Sequence, residues 1–87
     1  MAWVYILQSE VNNRFYIGST DDLEQRLLEH NAGNSGYTKF SRPFMIVFSQ
    51  EYKTLSEARK IEYKLKSFKS RKIIEKIILE KIIKIQV

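Results

Sequence analysis

The sequence holds no cysteine, a single histidine, a single proline and three glycines in 87 residues. Without cysteine there is no disulfide framework and no thiolate metal site, and a reducing compartment suits the chain. A lone histidine excludes a histidine-rich zinc centre. No G-x-x-x-x-G-K-[ST] string occurs, so phosphate cradling of that type is out, and no serine stands in a nucleophile-elbow sequence. Long apolar runs are missing too. The isoleucine-rich tail is broken by Lys76, Glu80, Lys81 and Lys84, well short of the ~20 apolar residues of a membrane span. Met1-Ala2-Trp3-Val4-Tyr5 has neither the basic stretch nor the apolar core of a signal peptide. These absences lead us to expect a cytoplasmic protein with no membrane partner. The length fits one domain over residues 1–87, with a shallow surface cleft rather than a deep cavity.

Positive charge is present and unevenly placed. The formal net charge is +5. Residues 1–50 carry Arg14, Arg26, Lys39 and Arg42 against five acidic residues, whereas residues 51–87 carry eleven basic and five acidic. A basic half suits a polyanion, because each neutralised phosphate releases counterions. The plainer alternative is a solvated, lysine-rich surface.

The residue patterns predict six elements. Trp3-Val4-Tyr5-Ile6-Leu7 is β-branched and aromatic, and so is Phe15-Tyr16-Ile17-Gly18-Ser19; both read as strands. Val11-Asn12-Asn13-Arg14 between them supplies turn chemistry, since Asn tolerates positive φ. A helix follows, capped by Asp21 with Glu24 three residues on, running through Leu23, Leu27 and Leu28 to about Asn31. Gly33 and Gly36 end it and open a loop through Arg42-Pro43. Phe44-Met45-Ile46-Val47-Phe48 is a continuous apolar run and predicts a buried strand. Thr54-Leu55-Ser56-Glu57 is a capping box that starts a second helix with Ala58, Ile61 and Leu65 on one face. Ser67 to Ser70 marks a break, and isoleucines at helical spacing predict a third helix over 71–82. The last five residues alternate as a strand would and are left unassigned. The order is ββαβαα, an α+β domain with a small, mainly antiparallel sheet.

Three features carry chemistry. Glu62 lies four residues after Ala58 and three before Leu65, so it shares the apolar face of its helix. A half-buried carboxylate is costly unless it is paired, hydrogen-bonded or bound to a metal; the simpler alternative is a snorkelling side chain paired with Arg59 or Lys66. Arg26 and His30 are spaced i, i+4 and project from one helix face. An arginine fork can hold phosphate charge and a histidine can move a proton near neutral pH. Equally, they are an exposed arginine and a histidine interacting with the helix C-terminus. Tyr5 and Tyr16, on the first two strands, form either a stabilising cross-strand pair or a pair of phenols that orient water.

Taken in order, the string Val4-Tyr5-Ile6, Tyr16-Ile17-Gly18-Ser19-Thr20, Leu23, Arg26-Leu27, His30-Asn31 and the helical Glu62 resembles the GIY-YIG nuclease superfamily. It is most similar to short bacterial members related to the nuclease domain of the excinuclease C subunit and of structure-specific repair nucleases. The resemblance covers roughly residues 2–75. It implies a three-stranded antiparallel sheet flanked by helices, and phosphodiester hydrolysis with one divalent cation, Mg2+ or Mn2+. It implies that Tyr5 activates the attacking nucleophile, Tyr16 lines the same site, Arg26 stabilises the phosphate, His30 supports Tyr5 and Glu62 holds the metal. The first motif reads Trp3-Val4-Tyr5, and Ser19 stands where some branches carry a lysine, which shifts weight onto His30. A polar residue that some members carry after the metal-binding helix has no equivalent among Arg71, Lys72, Ile73 and Ile74.

The expected function is an endonuclease acting on nucleic acid, with DNA the expected substrate and a monomer the expected state. Lys39, Arg42, Lys66, Lys69, Arg71 and Lys72 are the candidate nucleic-acid contacts. Two alternatives stay open: a binding module on the same fold with little or no cleavage, and an interaction protein whose isoleucine-rich tail docks a partner.

Overall fold

A computed structural model describes residues 1–33 and 42–84. Its elements are β1 (Ala2–Ser9), β2 (Phe15–Thr20), α1 (Leu23–Asn31), β3 (Phe44–Tyr52), α2 (Leu55–Phe68) and α3 (Arg71–Glu80). The three strands form one sheet in the order β2-β1-β3, with both pairings antiparallel. The α+β architecture and the ββαβαα order expected from the sequence are both present.

Placing β1 in the middle explains its composition. Its alternate residues point to opposite faces, and both faces are covered. Ala2, Val4 and Ile6 join Phe48, then Ala58, Ile61 and Leu65 of α2, then Ile74 and Ile77 of α3. Tyr5 and Leu7 join Phe44 on the other face, with Leu23 and Leu27 of α1 packed against them. The register slips between Ile6 and Leu7, where Ile6 pairs with Phe48 but Leu7 with Ile46. This bulge lets β3 contribute Phe48 to one core and Phe44 to the other.

Several local expectations are met by named contacts. Asn13 takes φ 60 in the β1–β2 turn. Thr54 caps α2 by accepting from the Glu57 N–H. The break expected over Ser67 to Ser70 is present: Lys69 adopts a left-handed conformation at the α2 C-terminus, and Ser70 then caps α3 through the Ile73 N–H. Gly33 follows α1 at φ 81.

Three expectations are corrected. Asp22, not Asp21, caps α1: its side chain accepts from the Gln25 N–H, and its own N–H is held by the Thr20 hydroxyl. β3 is an edge strand rather than a buried one, with Met45 exposed; the buried strand is β1, covered on both faces. α3 ends at Glu80, because Lys81 turns left-handed and donates its N–H back to Ile77 O. Ile83, beyond it, is buried. Its N–H donates to Gln50 Oε1 at 2.8 Å and its carbonyl accepts from Gln50 Nε2 at 3.4 Å. Among the described residues no helix is long and apolar enough to cross a membrane.

Candidate functional site

A cleft of about 530 Å³ opens across β2. Its walls come from both layers. Tyr5, Arg26 and His30 belong to the α1 side, and Glu62 and Lys66 to α2. β2 lies between them and separates their roles by register. Gly18 sits opposite Tyr5 and Ser19 opposite Val4, so successive β2 residues face the two layers in turn.

Tyr5 is buried in the central strand, and its phenol reaches across Gly18. Arg26 Nε donates to its oxygen at 3.4 Å, and His30 Nε2 lies 3.2 Å from the same oxygen. With Arg26 donating, the Tyr5 hydroxyl can donate to Nε2 when the imidazole carries its proton on Nδ1. Burial raises the Tyr5 pKa, and the Arg26 hydrogen bond and charge oppose that rise. Burial also lowers the His30 pKa, reinforced by the nearby Arg26 guanidinium. The resting pair is therefore a neutral phenol beside a neutral imidazole able to accept its proton.

His30 is buried at the end of a short helix because α1 is tied to the start of β3. Asn31 accepts from the Phe44 N–H at 2.7 Å and donates to the Phe44 carbonyl at 3.3 Å. Phe44 then makes T-shaped ring contacts with both His30 and Tyr16, with centroids 5.8 and 5.3 Å away. Tyr16 lines the same cleft.

Across the cleft, the Glu62 side chain is only 20% exposed, and both its oxygens are engaged. Ser19 Oγ donates to Oε1, and Lys66 Nζ contacts Oε2 at 2.6 Å. Among the described residues no three His, Cys, Asp or Glu side chains cluster to form a protein-only metal cage. A single carboxylate already facing a cation fits a hard, hydrated divalent ion, which binds through one or two carboxylates, waters and phosphate oxygens.

The remaining candidates are more scattered. Lys66, Lys69 and Arg71 line a second groove of about 260 Å³ beside the cleft. Arg14, which sequence reasoning missed, lines it too; its place just before β2 was the available signal. Arg42 is exposed, with its guanidinium against Gly33. Lys72 is exposed and lines neither space. Lys39 lies outside the described residues. Ser19, read only as a departure from the family pattern, turns out to hold Glu62.

Known proteins point the same way. A family model described as the GIY-YIG catalytic domain matches residues 1–76. The UPF0213 protein of Staphylococcus saprophyticus is 36% identical over 76 residues, covering 86% of this chain and 92% of that one. The UPF0213 protein of Staphylococcus haemolyticus matches to the same extent. The solution NMR structure of a UPF0213 protein from Bacillus halodurans superposes with a TM-score of 0.59 at 31% identity, covering 93% of this chain and 86% of that one. The fold, the motif strands and these matches agree, and the chain belongs to the GIY-YIG family of nucleases.

Proposed function

We propose that this chain is a divalent-metal-dependent endonuclease that hydrolyses phosphodiester bonds of nucleic acid, with DNA as the substrate. The observation that carries this reading is the Tyr5 hydroxyl, held between Arg26 Nε and His30 Nε2 on one wall of a cleft whose other wall presents Glu62. A phenol with a raised pKa is a poor base alone. In a relay it needs no free charge: as water attacks phosphorus, its proton passes to Tyr5 Oη while the Tyr5 proton passes to His30 Nε2. The new P–O bond forms as the bond to the leaving oxygen breaks. Arg26 serves twice, orienting the phenol and adding fixed positive charge beside the phosphate. Tyr16 walls the cleft and narrows access for water. Glu62, oriented by Ser19, is the group to hold Mg2+ or Mn2+, which supplies charge neutralisation for the phosphate and the leaving oxygen.

The test is nicking of supercoiled plasmid and of branched DNA with Mg2+ or Mn2+, comparing wild type with Tyr5→Phe and Glu62→Ala. Metal-dependent nicking lost in both variants supports the reading. A well-folded wild type that cuts no substrate returns the chain to the class of binding modules. Cleavage that survives Glu62→Ala removes the metal assignment.

A further inference from the structure

Lys66 occupies an unusual junction. It lines both the cleft and the adjoining groove. Its ammonium sits 2.6 Å from Glu62 Oε2, on a side chain 55% exposed, while the carboxylate it contacts is 20% exposed. The lysine can exchange its partner for water at little cost, whereas the carboxylate cannot leave its place beside Ser19. The groove on its other side is rimmed by Arg14, Lys69 and Arg71 over an apolar floor, and no carboxylate lines it among the described residues. Arg71 is held in place there. Its guanidinium lies 4.4 Å from the Phe15 ring centroid, and Nη1 donates to the Asn13 carbonyl at 3.1 Å. The exposed Glu75 lies 3.7 Å from its Nε but does not line the groove, and a fixed guanidinium with Arg14 and Lys69 beside it is a site for phosphate oxygens.

We propose that Lys66 couples metal binding to nucleic-acid binding. In the metal-free protein its ammonium neutralises Glu62. A divalent cation on Glu62 displaces it, and the freed ammonium joins Arg14, Lys69 and Arg71 as a fourth cation on a backbone phosphate in the groove. This rests on Glu62 as the metal-holding carboxylate, and it gives a single residue opposite roles toward the two ligands.

The test uses the full chain and reads binding rather than cleavage. Mn2+ affinity is measured by electron paramagnetic resonance in wild type, Lys66→Met, Lys69→Met and Glu62→Gln, with melting curves to confirm folding. Removing the competing cation should tighten Mn2+ binding about threefold or more in Lys66→Met. Lys69→Met, which takes a cation from the groove without touching Glu62, should change it less than about twofold. DNA affinity is then measured by anisotropy in a Tyr5→Phe background, with gels confirming intact DNA, in EDTA and in Mn2+. Lys66→Met should cost little in EDTA. In Mn2+ it should weaken binding about fivefold and reduce the salt slope by about one phosphate contact. Unchanged Mn2+ affinity in Lys66→Met, or an equal loss of DNA affinity with and without Mn2+, overturns the proposal. Full Mn2+ binding by Glu62→Gln is a separate outcome that removes the carboxylate assignment itself, and the coupling with it.

Discussion

Adding one methyl group at Gly18 tests the geometry of the site without touching any reacting group. Gly18 pairs across from Tyr5, and a Cβ built on it would lie within 3.0 Å of the phenol oxygen, Cζ and Cε2. Ordinary carbon contacts need roughly 3.5–4.0 Å, so the ring must shift by about 1 Å. Tyr5 is 4% exposed and packed with Leu7 and Phe44, so the shift disturbs a held ring. Its oxygen is 3.2 Å from His30 Nε2 and 3.4 Å from Arg26 Nε, so both hydrogen bonds are already long. Moving the phenol breaks at least one of them. Overpacking of this kind costs about 1–3 kcal/mol of stability, at about 4–8 °C of melting temperature per kcal/mol for a domain this small. Misplacing a catalytic group by about 1 Å costs on the order of 10²-fold in rate. The assay is plasmid nicking at saturating substrate and metal, paired with thermal melts. Gly18→Ala should remain folded yet lose kcat on that scale. In a Tyr5→Phe background, already without the hydroxyl, the same substitution should cost much less, which is the non-additivity of residues sharing one function. A folded Gly18→Ala protein cutting within about threefold of wild type would refute both the relay and the place of Tyr5 in it.

The relay also sets a pH limit. Burial and Arg26 depress the His30 pKa, so the acid limb of kcat/KM should turn below the ~6.5 of an ordinary imidazole and vanish with the residual activity of His30→Gln; a limb above that value contradicts the assignment. The same depression makes stability complete above about pH 6.5 and progressively lost as pH falls through the folded-state value, because the unfolded chain then binds the extra proton. His30→Gln should flatten that part of a stability–pH curve measured by urea melts. Gln50→Ala removes both hydrogen bonds to the Ile83 backbone. It should cost about 1–3 kcal/mol and raise hydrogen exchange at the Ile83 amide, while leaving nicking unchanged. Thr54→Ala loses the cap on the Glu57 N–H and should cost about 1 kcal/mol in chemical denaturation.

Element identity was legible in the residues because each element carries a local signal. The Asn-rich turn before Phe15, the Thr54 cap, the break over Ser67 to Ser70 and the isoleucine spacing of α3 are all decided within a few neighbours. The misreadings share another cause. Phe44-Met45-Ile46-Val47-Phe48 looks buried because all five are apolar, yet a bulge opposite Ile6 and Leu7 splits them between two cores and turns Met45 outward. Bulges and strand order depend on contacts between distant segments, which no window of sequence contains. Asp21 and Asp22 are equivalent by composition; the Thr20 hydroxyl, which holds the Asp22 N–H, is what separates them.

The site divides along the same line. The four-residue spacing puts Arg26 and His30 on one helix face and the family resemblance marks them as site residues, but the burial that keeps His30 neutral arises from Asn31 clasping the Phe44 backbone, thirteen residues away. Glu62 can be picked out because it interrupts an apolar stripe, and that interruption does not distinguish a metal ligand from a surface ion pair. The structure contains the ion pair, with Lys66, and also the partial burial and the Ser19-held second oxygen on which the proposed metal ligand rests. Under the proposed function the two readings are states of one carboxylate rather than competitors. A buried carboxylate without a counter-ion would destabilise the metal-free protein. Lys66 removes that cost from a position one helical turn on and half in solvent, and under the proposed coupling a divalent cation would displace it.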